Sequence, residues 1–221
     1  VTDDASIQSA FDAVSSQTNR LDAIVNFAGI IGVGSLVDMP EARFEKIIDV
    51  NLMGTFRVNK KFFPLVEAAK GRIVNVSSET GWQSPAPFAG PYAISKHAVE
   101  AYSTALRREV ALVGVKVIVI QPGSFKTNMV SGIESAFSLA ADESERFGGL
   151  LHKLKGLAAK AAGKAGDPSV LAQTIETALT AKHPKLAYSI KPDKARSALE
   201  LLPERAVDQI YLSVLRKGRK P

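Results

Sequence analysis

Short apolar runs alternate with longer amphipathic stretches along this 221-residue chain. Ile7, Ala10, Phe11 and Val14 share one helical face, which predicts a helix over 3–18 capped by Thr2 or Asp3. Leu21 to Phe27 reads as a strand, ended by Ala28-Gly29. A long helix is expected over 41–68, where Phe44, Ile47, Ile48, Phe56, Phe62, Phe63, Leu65 and Val66 recur, with an interruption near Gly54. Arg72 to Val76 is a short strand and 91–112 a helix. Val115 to Gln121 is the clearest buried strand, stopped by Pro122-Gly123. Residues 131–166, rich in Ala, Gly, Lys and Ser, predict a mobile helical segment. A helix over 168–182, a strand over 186–190 and a less regular basic tail over 191–221 complete the pattern. No internal repeat appears. Strands alternating with long helices predict a doubly wound α/β fold, a parallel sheet covered on both faces.

The length suits one domain spanning 1–221 with a full core. Hydrophobic residues make up 46% and charged residues 23%, ordinary globular usage. With no cysteine, disulfides and thiolate catalysis are excluded, and a reducing, cytoplasmic setting is expected. His97, His152 and His183 are scattered, so no metal site is expected. No apolar run approaches the roughly 18 residues of a membrane span, and the polar start Val1-Thr2-Asp3-Asp4 does not read as a signal peptide. The formal charge of +6 comes largely from Lys153 to Lys164 and from Arg216 to Lys220. A solvated face explains this charge most simply, and acidic lipid is the sharper alternative. Nucleic acid is not expected, because no aromatic residues interleave with the cations.

Tyr92 and Lys96 carry the most specific chemistry. On a helix, four-residue spacing puts phenol and ammonium on one face, about 6 Å apart along the axis. A free phenol is a poor acid or base at neutral pH, and a neighbouring ammonium lowers its pKa toward the working range. Ligands of such sheets bind beyond the carboxyl ends of the strands. Ala28-Gly29, Ser77-Ser78 and Pro122-Gly123 stand at those ends, and small or turn-forming residues there suit close approach of a ligand. Ordinary strand-ending turns explain each one singly but not three on one edge.

Asn26-Phe27-Ala28-Gly29, Asn51-Leu52-Met53-Gly54, Ser77-Ser78-Glu79-Thr80-Gly81, Tyr92-x-x-x-Lys96 and Pro122-Gly123-Ser124-Phe125-Lys126-Thr127 occur in this order. The ordered set resembles the short-chain dehydrogenase/reductase family in its single-domain form, from residue 1 to about 190. The resemblance implies a Rossmann-type three-layer α/β/α fold and an oxidoreductase that interconverts a secondary alcohol and a carbonyl with NAD or NADP. It implies Tyr92 as the acid/base, Lys96 as the group that lowers its pKa and bonds the nicotinamide ribose, and Ser78 as the holder of the substrate oxygen. It implies Asn51 as the anchor of a proton-relay water. Pro122, Gly123 and Thr127 then contact the carboxamide, and Asn26, Ala28 and Gly29 support the sheet and pass the cofactor. Plainer roles stand beside these: Asn51 in a kinked helix, Ser77-Ser78 as a helix cap, Thr127 as an N-cap. The resemblance further implies a small hydrophobic alcohol or ketone as substrate, covered by 128–165, and a homodimer or homotetramer through 41–68 and 91–112. Leu139, Phe147, Leu150, Leu151, Leu154 and Leu157 line an apolar pocket or form the packing face of a lid helix.

Two departures qualify the match. Phe27 stands where the family usually has a second asparagine, and the loop through Trp82, Pro85, Pro87 and Phe88 is slightly long. A third is larger. The family's glycine-rich phosphate loop has no counterpart here, as if roughly 60 residues, about 30 per strand–helix unit, were missing ahead of residue 1. Two readings follow: a piece of a longer enzyme, or a truncated non-catalytic homologue that binds or self-associates through strand 21–27 as a bare sheet edge.

Overall fold

The computed structural model describes residues 1–217. Its centre is a parallel sheet with strands in the order β1-β2-β3-β4. The strands are β1 (Ala23–Asn26), β2 (Arg72–Val76), β3 (Lys116–Pro122) and β4 (Ala187–Ile190). Ten helices surround them among the described residues: α1 (Asp4–Ser15), α2 (Glu41–Ile48), α3 (Gly54–Ala68), α4 (Gly90–Val110), α5 (Asn128–Ser131), α6 (Ile133–Asp142), α7 (Gly148–Ala162), α8 (Pro168–Thr180), α9 (Lys194–Leu199) and α10 (Glu204–Lys217). This is the expected three-layer α/β/α arrangement.

Alternation along β2 and β3 divides the core. Ile73 and Val117 stand side by side in the register and pack with Val66, Phe63, Val110 and Leu106 of α3 and α4. Val74 and Ile118, one position on, join Ile120, Leu171, Ala178 and Ile190 on the α8 face. Burial on both faces is what a near-continuous Val/Ile strand needs. β1 is an edge, with Val25 37% exposed and Phe27 beyond it 52% exposed.

The interruption expected near Gly54 is a π-helical turn, Asp49–Met53, that joins α2 to α3 without breaking the rod. Asp3, not Thr2, caps α1, its carboxylate accepting from Ser6 N at 3.0 Å. Residues 131–166 form most of α5–α7, with α6 and α7 packed around Val33, Ala140, Ala141 and Leu151. The expected irregular tail is instead helical over α9 and α10, since Asp193 caps α9 by accepting from Ala195 N and Arg196 N. The basic residues expected at 218–221 lie outside the described residues.

Candidate active site

The carboxyl ends of β1, β2 and β3 open into a cavity of about 410 Å³. Ala28, Gly29, Ser78, Tyr92, Lys96, Pro122, Gly123 and Thr127 all line it. Pro91 at the start of α4 suits the first helical turn, where its missing N–H leaves no bond unmade. Tyr92 follows directly, and Tyr92 and Lys96, about one turn apart, face the cavity together, with Lys96 Nζ 5.7 Å from the Tyr92 ring centre.

Two glycines allow this convergence. A Cβ on Gly81 would lie 2.5 Å from Ser77 Oγ and 3.0 Å from Lys96 O, so the loop after β2 could not close on α4. A Cβ on Gly123 would lie 2.2 Å from Lys191 O, blocking the bond from Gly123 N to Ile190 O that ties the end of β3 to β4.

The two serines after β2 divide their work. Ser77 is buried and its Oγ donates to Lys96 O at 3.3 Å. Ser78 Oγ accepts from Thr80 N at 3.2 Å, capping a short helical turn, and lines the cavity with Tyr92, whose Oη lies 4.0 Å from Met129 Sδ. The cap leaves Ser78 on the same cavity as the phenol. Thr127 stands at the N-cap of α5 with no side-chain cap bond, so its hydroxyl is free to face the cavity.

Electrostatics depart from expectation. Burial pushes Tyr92 up to about 12, against a lowering hydrogen bond from Ser78, and Glu79 adds to the rise. Burial lowers Lys96 to about 8, partly offset by the Glu100 carboxylate, while Lys96 Nζ donates to Val76 O at 2.9 Å. Lys96 is not among the causes acting on Tyr92, so the expected lowering of the phenol is not what this geometry produces. Desolvation disfavours both charged forms, and here it outweighs their mutual attraction.

Asn51 lies in the π-helical turn, a feature frequent at functional sites. Its side chain accepts from Ile30 N at 2.8 Å and donates to Ile30 O at 3.0 Å and Ser95 Oγ at 2.9 Å. Ser95 Oγ in turn donates to Tyr92 O at 2.7 Å. A Cβ built on Gly29 would sit 3.4 Å from Asn51 Oδ1 and 3.6 Å from Lys96 Nζ, so these three groups meet at one wall. Asn26 is placed elsewhere. It is buried behind the strand end, donating to Asn59 Oδ1 at 2.7 Å and Asn75 Oδ1 at 2.9 Å.

Three features escaped the sequence reading. Phe27, discounted there, lines the cavity mouth. Asn59 and Asn75 extend the Asn26 network to Tyr102 and Ser103 of α4 at 3.2 and 2.9 Å, fixing α4, which bears Tyr92 and Lys96, to the sheet. The signal was an asparagine inside the apolar run of β2. The loop carrying Ser78 is also latched by α9: Glu79 accepts from Asp193 N at 2.6 Å, Gln83 donates to Ser197 at 3.0 Å, and Glu200 accepts from Ser84 N at 2.7 Å. Burial raises the Glu79 pKa. Within 128–165 the apolar side chains divide: Leu151 and Phe147 pack in the α6–α7 cluster, whereas Leu157 faces a separate cavity. Among the described residues, no acidic or histidine cluster fit for a metal occurs, and no helix is long and apolar enough to cross a membrane.

The cavity lies at the carboxyl edge of a parallel sheet covered by helices, the place where α/β folds of this class bind ligands. The family described as short chain dehydrogenase matches residues 1–137, and the chain belongs to that family. It is similar to retinol dehydrogenase 7 of Rattus norvegicus, 36% identical over 75% of this chain and 55% of that protein. It is also similar to retinol dehydrogenase 5 of Homo sapiens, 32% identical over 98% of this chain and 72% of that protein. The solved structure of ElxO with NADP bound matches with a TM-score of 0.64 at 26% identity, covering 86% of this chain and 72% of that one. The chain thus spans little more than half the length of the rat relative.

Proposed function

We propose that the protein is an oxidoreductase interconverting a hydrophobic secondary alcohol and a carbonyl with NAD or NADP, Tyr92 exchanging the proton. The convergence of Tyr92, Lys96, Ser78, Pro122, Gly123 and Thr127 on one cavity carries this reading. The family, the names of the relatives and the NADP in ElxO support it.

The residues present fit a nicotinamide. Gly29 and Gly123 offer backbone without side chains, Thr127 offers a free hydroxyl, and Lys96 offers donors to a ribose. When bound, the cofactor supplies or accepts the hydride. Tyr92, held protonated at neutral pH by burial, gives its proton to the forming alkoxide, and Ser78 donates a hydrogen bond to the same oxygen. Lys96 stands behind Tyr92 to steady the charge left on the phenolate. Asn51 acts through the wall it builds with Ile30 and Ser95, which keeps Tyr92 and Lys96 in register. Oxidation runs the same steps in reverse and needs the phenol ionised, so its rate rises with pH. The purified protein is expected to oxidise NADH or NADPH in the presence of long-chain ketones. Absence of turnover with both nucleotides across such a panel contradicts the reading.

The substrate cover over 128–165 and a homo-oligomer complete the proposal. A groove of about 430 Å³ between α3 and α4, lined by Phe56, Phe63, Tyr102 and Leu106, supports pairing of two copies there. The second reading, association through β1, is favoured by its exposed Val25 and unpaired edge. Val25→Lys separates the two: it abolishes self-association in the second reading and leaves the α3–α4 dimer intact in the first.

A further inference from the structure

Beside the Tyr92 cavity lies a second one, of about 680 Å³, between α7, the end of β3 and α9. The two share Val130, and Glu79 and Ser124 of the second follow Ser78 and Gly123 of the first. One wall is apolar, formed by Val130, Ile133, Leu157 and neighbouring alanines. The other carries four cations, Lys160, Lys164, Lys191 and Arg196, against two carboxylates, Glu79 and Asp193.

Both carboxylates are already engaged. Asp193 caps α9 through Ala195 N and Arg196 N, and Glu79 accepts from Asp193 N. The cations are engaged less fully: Arg196 Nη2 donates to Ser84 O at 3.3 Å and its charge acts on Glu79, and Lys191 acts on Asp167 from beyond ion-pair distance. Among the described residues Lys160, Lys164 and Lys191 have no carboxylate within ion-pair distance, and Arg196 Nε is buried without a hydrogen-bond partner. Four cations against two carboxylates that are already hydrogen-bonded, beside an apolar wall, match an anion with an apolar body.

We propose that this cavity is the tail subsite for an amphipathic anion. The substrate presents its alcohol or carbonyl at Tyr92 and, beyond an apolar stretch, a carboxylate or phosphate to Lys160, Lys164, Lys191 and Arg196. The inference rests on the oxidoreductase reading for the reacting end only.

Calorimetric titration of the protein with decanoate, decyl phosphate and decan-1-ol tests it. At least one anion is expected to bind about tenfold or more tightly than the alcohol, with the advantage shrinking as salt rises. The tighter of the two anions identifies the head group. Lys160→Glu with Lys191→Glu, both exposed positions, erases the advantage, while Lys116→Glu at the exposed start of β3 preserves it. Anions that bind no better than the alcohol, or an advantage that survives the double substitution, overturn the proposal. A turnover arm compares decan-2-one with 9-oxodecanoate, the acid being favoured in kcat/KM. Anion preference in binding with turnover of neither ketone upholds the anion site and overturns the oxidoreductase reading alone. Equal turnover of both ketones overturns the tail subsite alone.

Discussion

Residues 23–127 and residues 128–217 fill space by different means. In the first region buried asparagines, serines and a lysine thread between strands and helices, from Asn26 through Asn59 and Asn75 to Ser103, and from Ile30 through Asn51 to Ser95. In the second, Ser144 alone among the described residues is a buried polar side chain, and packing rests on small apolar clusters such as Ala140, Ala141 and Leu151. Hydrogen bonds are directional and costly to leave unmade, so the first region admits one arrangement. Apolar contacts between small helices are tolerant of exchange. On the proposed function, the first region fixes the reacting atoms and the second chooses what reaches them.

Changes in the two regions are therefore expected to fail differently. Ser78→Ala, in the first, should lower kcat by about 10²–10³, as for loss of one donor to a developing oxyanion, and cost no more than the roughly 0.5–2 kcal/mol of a lost N-cap. A rate within twofold, roughly, of wild type would remove Ser78 from the chemistry. Leu151→Ala, in the second, should cost about 2–5 kcal/mol in urea denaturation, because Leu151 is fully buried between α6 and α7. Asn75→Ala leaves Asn26, Asn59 and Ser103 without their shared partner and should cost about 1–3 kcal/mol. It should also lower kcat, since α4 loses a tie to the sheet; an equal loss of stability with unchanged kcat would blur the contrast between the regions.

The smallest effect concerns pH. Lys96 binds its proton more weakly folded than unfolded, with a pKa near 8 against 10.5. The unfolded chain then holds more protons between those values, so this lysine makes stability rise as pH climbs from 8 to 10.5. Tyr92 does the reverse: raised from 10.0 to about 12, it makes stability fall across that higher window. Denaturation of wild type and Lys96→Met across this range checks the sign, the variant lacking the rising limb. A rising limb of equal slope in both proteins assigns it to another group.

The strands, the continuous rod of α2 and α3 with its interruption near Gly54, and the helix bearing Tyr92 were legible, because apolar period and stop residues such as Pro122-Gly123 are local signals. So was the gathering of Ser78, Tyr92, Lys96 and Thr127 on one cavity, since each follows or opens an element the pattern locates. The asparagine network was not, because Asn26 and Asn75 are partners 49 positions apart. The latch of α9 on the Ser78 loop joins residues more than a hundred positions apart, as Ser84 and Glu200 do. α10 was masked by its basic composition, although Pro203-Glu204 followed by Val207 and Tyr211 is a helix-start pattern with a spaced apolar face. The rise of the Tyr92 pKa escaped because desolvation depends on the closed cavity, which spacing alone does not describe.

The central claim is that Tyr92 moves the proton. Its most direct measurement is Tyr92→Phe, with nicotinamide nucleotide affinity and single-turnover rate determined on the same protein. The account predicts a rate lower by about 10²–10⁴ with nucleotide affinity unchanged. A variant that turns over at the wild-type rate, or that loses rate only in proportion to lost nucleotide binding, would contradict it.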